Sequence, residues 1–323
     1  MRVGRIFLVL MAASSSIFGA STRVFVKSTG MDVGTCPLTS PCRSFSFAMT
    51  QVAPSGEVIA LDTAGYGTFT ISQPVSVFAP NGVTAFIAVT AGTGIAITAG
   101  AADTIVLRGL ALSGSGGSIG IDFQGGVALS VENCIINGLG NWGIRMVRSS
   151  DASNPRIRIE HSTIRNNGEA VFTANTGMAP PTGGQPPGIA GLTIANSSLS
   201  ENGTGLDAGD NTRGTVTDTV ISGNGDGIFA GTDVDFSFPD VNVERCVITQ
   251  NHFRGVVAGG SIPTQINHGV VRIAYDMITG NNIGVQENIG GGKIMTMTSS
   301  GTATNTIEGN VTNGTFTGSY TAK

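Results

Sequence analysis

The stretch Gly214-Thr-Val216-Thr-Asp-Thr-Val-Ile221-Ser-Gly-Asn224-Gly-Asp-Gly227-Ile228 has a near copy in Val241-Asn-Val243-Glu-Arg-Cys-Val-Ile248-Thr-Gln-Asn251-His-Phe-Arg-Gly255-Val256. In both, an alternating segment ends on an aliphatic residue, and a second aliphatic follows five positions later. An Asn then comes three residues on, before a Gly-aliphatic pair. Alternation this short is the pattern of a strand with one face buried, and the isolated aliphatic and the Gly-aliphatic pair read as two further short strands.

Working outward, the alternating segment recurs as Leu129–Ile136, Ile157–Ile164, Leu192–Leu199 and Val271–Ile278, with the Asn at 167, 202 and 281 and Gly-aliphatic pairs at 143, 205 and 284. Spacing between the last aliphatics varies from 22 (199 to 221) to 35 (164 to 199). A fixed pattern at variable spacing means loops of different length inserted at one corner of a repeated unit. The insertions at 174–191, 232–240 and 259–268 all follow the third strand, so they emerge on one side.

Strands this short cannot bury a face alone, and no helical segments lie between them to build an open α/β sheet. Coiling each repeat onto the last solves both problems. The expected fold is an all-β parallel β-helix solenoid of roughly nine or ten coils, with aliphatics stacked inside and backbones paired at about 4.8 Å. Less regular segments such as Phe69-Thr-Ile71, Val75-Ser-Val77 and Ile105-Val-Leu107 extend it toward the N-terminus. Asn at the turn suits a left-handed conformation, and its amide can bond to its copy in the next coil.

Composition agrees, with 48 Gly in 323 residues and only 17 Lys+Arg against 21 Asp+Glu. The cations form no run of the kind that neutralises phosphates, so nucleic acid is not an expected partner. Residues 1–21 read as an export signal, with Arg2 and Arg5 followed by an apolar stretch from Ile6 to Ala13 and small residues at Gly19-Ala20-Ser21. That stretch is too short to span a bilayer, and no membrane insertion is expected once the signal is cleaved. The expected location is secreted or periplasmic. Cys36 and Cys42, in a proline-stiffened loop, read as a disulfide in that compartment. Cys134 and Cys246 occupy the same place in repeats four coils apart, about 19 Å, and read as free inward-facing thiols.

These repeats resemble the right-handed parallel β-helix proteins of the pectin-lyase-like superfamily, and the resemblance covers nearly all of the chain after the signal. It implies an N-terminal cap, here 22–57, in which Phe45-Ser-Phe47-Ala48-Met49-Thr-Gln-Val52 forms a short helix closing the coil, with the β-helix itself at 58–323. Enzymes of this kind cluster Asp or Glu on neighbouring coils around calcium, or three Asp with a His in Asn-Thr-Asp, Asp-Asp and Gly-His-Gly motifs. This chain has no Asp-Asp pair, and Asn267-His268-Gly269 departs at its first residue.

The outward position after each Gly-aliphatic pair holds, in order, Asp122, Arg145, Phe172, Asp207, Phe229, Val257 and Gln286. No carboxylate pair sits on adjacent coils, as general acid and base chemistry requires. Arg145, Asp207 and Asp210, with Asp235 in the 232–240 insertion, are the candidate binding residues; no catalytic residue, metal ligand or cofactor is assigned. Glu132, Glu160 and His161 are expected to stack on an outer face as a surface ladder. The sequence therefore reads as an exported non-catalytic scaffold binding a glycan, or a surface protein, through its loop face. The alternative is a polysaccharide lyase or glycoside hydrolase with a non-standard site.

Overall fold

The computed structural model describes residues 20–148, 154–176, 188–231, 238–260, 269–288, 291–299 and 302–321. Among these, strands form three long sheets of 13, 10 and 9 strands, here A, B and C, in which the strands pair in parallel from coil to coil, with one antiparallel pair at the end of sheet A between Lys293–Ser299 and Thr302–Ala303. One coil runs Asp240–Glu244 in sheet A, Val247–Thr249 in sheet B and Arg254–Ala258 in sheet C. The sequence repeats fall in exact register, Ile136 to Ile164 to Leu199 to Ile221 to Ile248 to Ile278, and all six are fully buried.

Each coil turns on single left-handed residues. Between sheets A and B these are Asn133, His161, Asn196, Asp218, Arg245 and Tyr275, at φ from 49° to 57°. Between sheets B and C they include Asn166, Glu201, Gly223, Gln250 and Gly280. The recurrent Asn is thus not the left-handed residue, contrary to the sequence expectation; it is the next one. Its side chain does the work instead. The Oδ1 of Asn224 accepts the backbone N–H of Asn202 (2.9 Å) and its side-chain amide (3.0 Å), while the Asn224 amide donates to Leu199 O and to Asn251 Oδ1 (both 3.0 Å). The same bonds run from Asn167 through Asn310, with Leu139 donating its N–H at the lower end.

A second file of polar side chains fills the A-to-B corner. Ser162 Oγ accepts the Cys134 N–H (3.1 Å) and donates to Glu160 O (2.9 Å), and Ser197 and Thr219 repeat the pattern. Cys134 and Cys246 belong to this file, each thiol pointing at the carbonyl two residues back, and both are free and buried as expected. Burial pushes their thiols up to about 11 and about 12, which keeps them unreactive.

At the N-terminal end, the helix Phe45–Gln51 covers the core as the resemblance implied, capped by Ser44, with Phe45 packed 5.1 Å from Tyr66 and 5.0 Å from Phe69. Cys36 and Cys42 form the disulfide. The cap segment also supplies a strand, Ser21–Val26, that opens sheet A. The disulfide loop bonds its outer edge through Phe25 N–H to Cys36 O and Cys42 N–H to Phe25 O, both 2.9 Å, which blocks pairing with another chain.

Asn224→Ala should cost roughly 3 kcal/mol, because it leaves the buried Asn202 N–H without an acceptor; urea unfolding measures it. Asp276 is the acidic member of the A-to-B file, 2% exposed, accepting N–H bonds from Cys246 (2.8 Å) and Ala274 (2.9 Å). Burial pushes its carboxyl up to about 7, only partly opposed by those two bonds. A raised folded value favours the neutral acid, so this group's contribution to stability is complete below the unfolded value near 3.8 and is lost as pH rises toward 7. Asp276→Thr, which restores the hydroxyl used at 219, should flatten the decline in urea midpoint between pH 4 and pH 7.

Candidate functional site

The alternation of sheet A that buries its aliphatics turns the intervening residues outward in columns. One column reads Thr104, Ala128, Arg156, Gly191, Arg213 and the next Val106, Ser130, Arg158, Thr193, Thr215. Small residues alternating with long ones leave a groove of about 470 Å³ between the arginine arms. Gly191 is required there, since a Cβ would lie 2.9 Å from Arg156 Cγ. The long insertions enter sheet A on this side, directly before the strands Ala190–Ala195, Asp240–Glu244 and Val270–Ala274.

Arg156 and Arg213 are exposed and, among the described residues, neither has a carboxylate partner. They stand two coils apart, about 9.6 Å. Arg158 pairs with Glu160 at the groove's far rim, where Arg108 also holds Glu132 at 2.8 Å. Glu132 and Glu160 are register partners on one outer face, as expected, and His161 stands at the corner beside them. Among the described residues the groove lining contains no Asp, Glu or His, and Asp240, the register neighbour of Arg213 on the next coil, is held by Arg272. Such a site attracts an anion bearing planar carboxylates or sulfates, and offers hydroxyls from Thr104, Ser130, Thr193 and Thr215 to its neutral groups.

The residues singled out from sequence lie elsewhere, on sheet C. Arg145 binds Asp122 in a fork, Nε to Oδ1 at 2.9 Å and Nη2 to Oδ2 at 2.6 Å, with its guanidinium 5.0 Å from the Trp142 ring centre. Asp122 is 2% exposed. Phe172 occupies the register position between Arg145 and Asp207, so these two are not brought together. Asp210 is buried, its carbonyl accepting the Asn175 N–H at 2.7 Å, and Asp235 lies outside the described residues. Among the described residues no three His, Cys, Asp or Glu side chains lie close enough to hold a metal ion. The groove arginines are not among the candidate residues read from sequence, which lie after the Gly-aliphatic pairs of the third strand or in the insertions. Arg156-Ile157-Arg158-Ile159 shows the signal, two cations at the outward positions of one alternating segment.

Arg145→Ala should destabilise the protein by about 3 kcal/mol, since it leaves Asp122 as an uncompensated buried charge. The paired change Asp122→Leu with Arg145→Leu should recover most of that loss in thermal unfolding.

The family model for the right-handed beta helix region matches residues 93–271. Among solved structures, pectate lyase Pel9A aligns at 16% identity over 86% of this chain and 69% of its own (TM-score 0.54). The A-module of the Azotobacter vinelandii mannuronan C-5 epimerase AlgE4 aligns at 14% identity over 79% of this chain and 80% of its own (TM-score 0.53). ORF18 of Geobacillus virus E2 aligns at 10% identity over 92% of this chain and 62% of its own (TM-score 0.52). No curated protein matches the sequence. Identities this low speak for the fold alone. With 179 of its 323 residues (93–271) matched by the model and three parallel sheets stacked coil on coil, the chain belongs to the right-handed β-helix family.

Proposed function

We propose that this protein is an exported, non-catalytic β-helix scaffold that holds an acidic polysaccharide in the sheet A groove. The observation that carries this reading is the pair Arg156 and Arg213, two exposed guanidinium groups without carboxylate partners among the described residues, facing one groove whose lining has no acid. Solvated arginines on a protein this sparsely charged have a ready use in binding carboxylates two at a time. Two structural neighbours are named for pectate and mannuronan, which are both polyuronates. Among the described residues the lining holds no Asp, Glu or His, which favours holding over hydrolysis, since acid and base groups have to reach the bond being broken. Export is supported by the signal-like residues 1–21, which lie outside the described residues apart from Ala20 and Ser21, and by the Cys36–Cys42 disulfide. No helix among the described residues is long and apolar enough to cross a membrane.

Titration calorimetry with polygalacturonate and alginate oligomers tests the proposal. Binding should weaken with added salt and should fall about tenfold or more in Arg156→Ala and in Arg213→Ala, the loss expected for one charge-assisted contact. Arg145→Ala should leave the affinity unchanged. Equal affinity in all three variants would place the ligand away from the groove, and release of unsaturated or reducing ends from either polymer would make the protein an enzyme.

A further inference from the structure

Sheet B differs from the other two faces. It is bordered by short corners, since the long insertions come between strands of sheet C and strands of sheet A. Between Gly65 at one end and Thr306 at the other, its outward column runs Phe86, Ala111 (8% exposed) and Ile135, passes Thr163 and Ser198, and continues with Val220, Val247 and Met277. Four of these are large apolar side chains left in water: Phe86 is 44% exposed, Ile135 49%, Val220 42% and Met277 47%. The order is a palindrome, three apolar positions, two hydroxyls, three apolar positions.

We propose that sheet B is the face on which two copies of this chain associate, helix axes antiparallel, about a two-fold axis running along the strands between Thr163 and Ser198. A two-fold interface requires a surface complementary to its own rotated copy, and a palindromic column is one. The rotation sets Ile135 against the partner's Val220, Ala111 against the partner's Val247, and Phe86 against the partner's Met277. Thr163 then meets the partner's Ser198, so the two hydroxyls at the centre of the column face each other.

Charge selects this arrangement over a parallel one. Arg165 is the one cation of the neighbouring outward column, opposite Ser200 in the register, and Glu201 follows at the exposed corner. Neither has an ion-pair partner among the described residues. In the antiparallel dimer two Arg165 and two Glu201 alternate around the axis, whereas parallel axes would bring Arg165 toward the partner's His161 and no acid. From Phe86 to Met277 is seven coil steps, about 34 Å. With a width of about 15 Å that buries roughly 500 Å² on each copy, about 1,000 Å² in all, at the lower limit for a specific interface. The dimer should accordingly be reversible, with dissociation in the micromolar range.

Sedimentation of the purified protein from low micromolar to several hundred micromolar should show a monomer–dimer equilibrium, and Val220→Glu, folded by circular dichroism, should weaken it at least about tenfold. Mild oxidation of a mixture of Ile135→Cys and Val220→Cys proteins should give a crosslinked dimer that neither variant gives alone, since Cys134 and Cys246 are buried. A wild-type protein that stays monomeric over the whole range overturns the proposal, as does a dimer indifferent to Val220→Glu. Crosslinking of Ile135→Cys with itself overturns the antiparallel arrangement.

Discussion

A parallel coil leaves its corners without backbone partners. At the B-to-C corner each chain segment crosses from one sheet to the next, and the N–H of the crossing residue points along the helix axis into an interior that water cannot reach. An unmet donor there costs about as much as several buried methylenes contribute. The Asn side chain of the following coil supplies the missing acceptor, and its own amide passes the bond onward through Asn202, Asn224, Asn251 and Asn281. The bond spans one coil height, so it holds only if successive coils stay in register. Aliphatic stacking, sheet pairing and the placement of every outward residue follow from that register.

The second polar file shows how strict the geometry is. Ser and Thr side chains each reach one N–H and one carbonyl, the two thiols each reach two carbonyls, and Asp276 reaches two N–H groups in the same space. A carboxylate there has no cation in contact, which is why burial dominates its ionisation. Arginine is treated differently on the outside of the coil. Arg145 is forked onto Asp122, Arg254 onto Asp226 and Arg245 onto Asp218, each joining adjacent coils, while Arg156 and Arg213 are left open at the groove. The open pair is set apart by contrast with its paired neighbours.

The three faces of the coil also divide the work. Sheet A has its groove between arginine arms, sheet C uses its aromatic and charged residues in contacts within the face, such as the Trp142–Phe172 stack and the Trp142 indole bond to Glu169 (3.0 Å), and sheet B is partly apolar.

The sequence by itself determined the solenoid, the register of its core, the Cys36–Cys42 disulfide and the separation of Cys134 from Cys246, because all of these depend on periodicity and spacing along the chain. The recurrent Asn was legible as a ladder, but its backbone role was not, since a side-chain amide and a left-handed turn leave the same mark in a sequence and only the dihedral angles assign the turn to the residue before it. Phe172 was legible between Arg145 and Asp207 in the sequence order, and the register keeps it there, two coil steps separating the two charges. Which arginines are paired and which are open was settled by the tertiary structure alone. Apart from Arg158, whose partner Glu160 is two residues on, pairing depends on what a neighbouring coil places within about 3 Å of a guanidinium group, and that neighbour lies 23 to 34 residues away along the chain, as for Arg145 with Asp122 and Arg23 with Glu57.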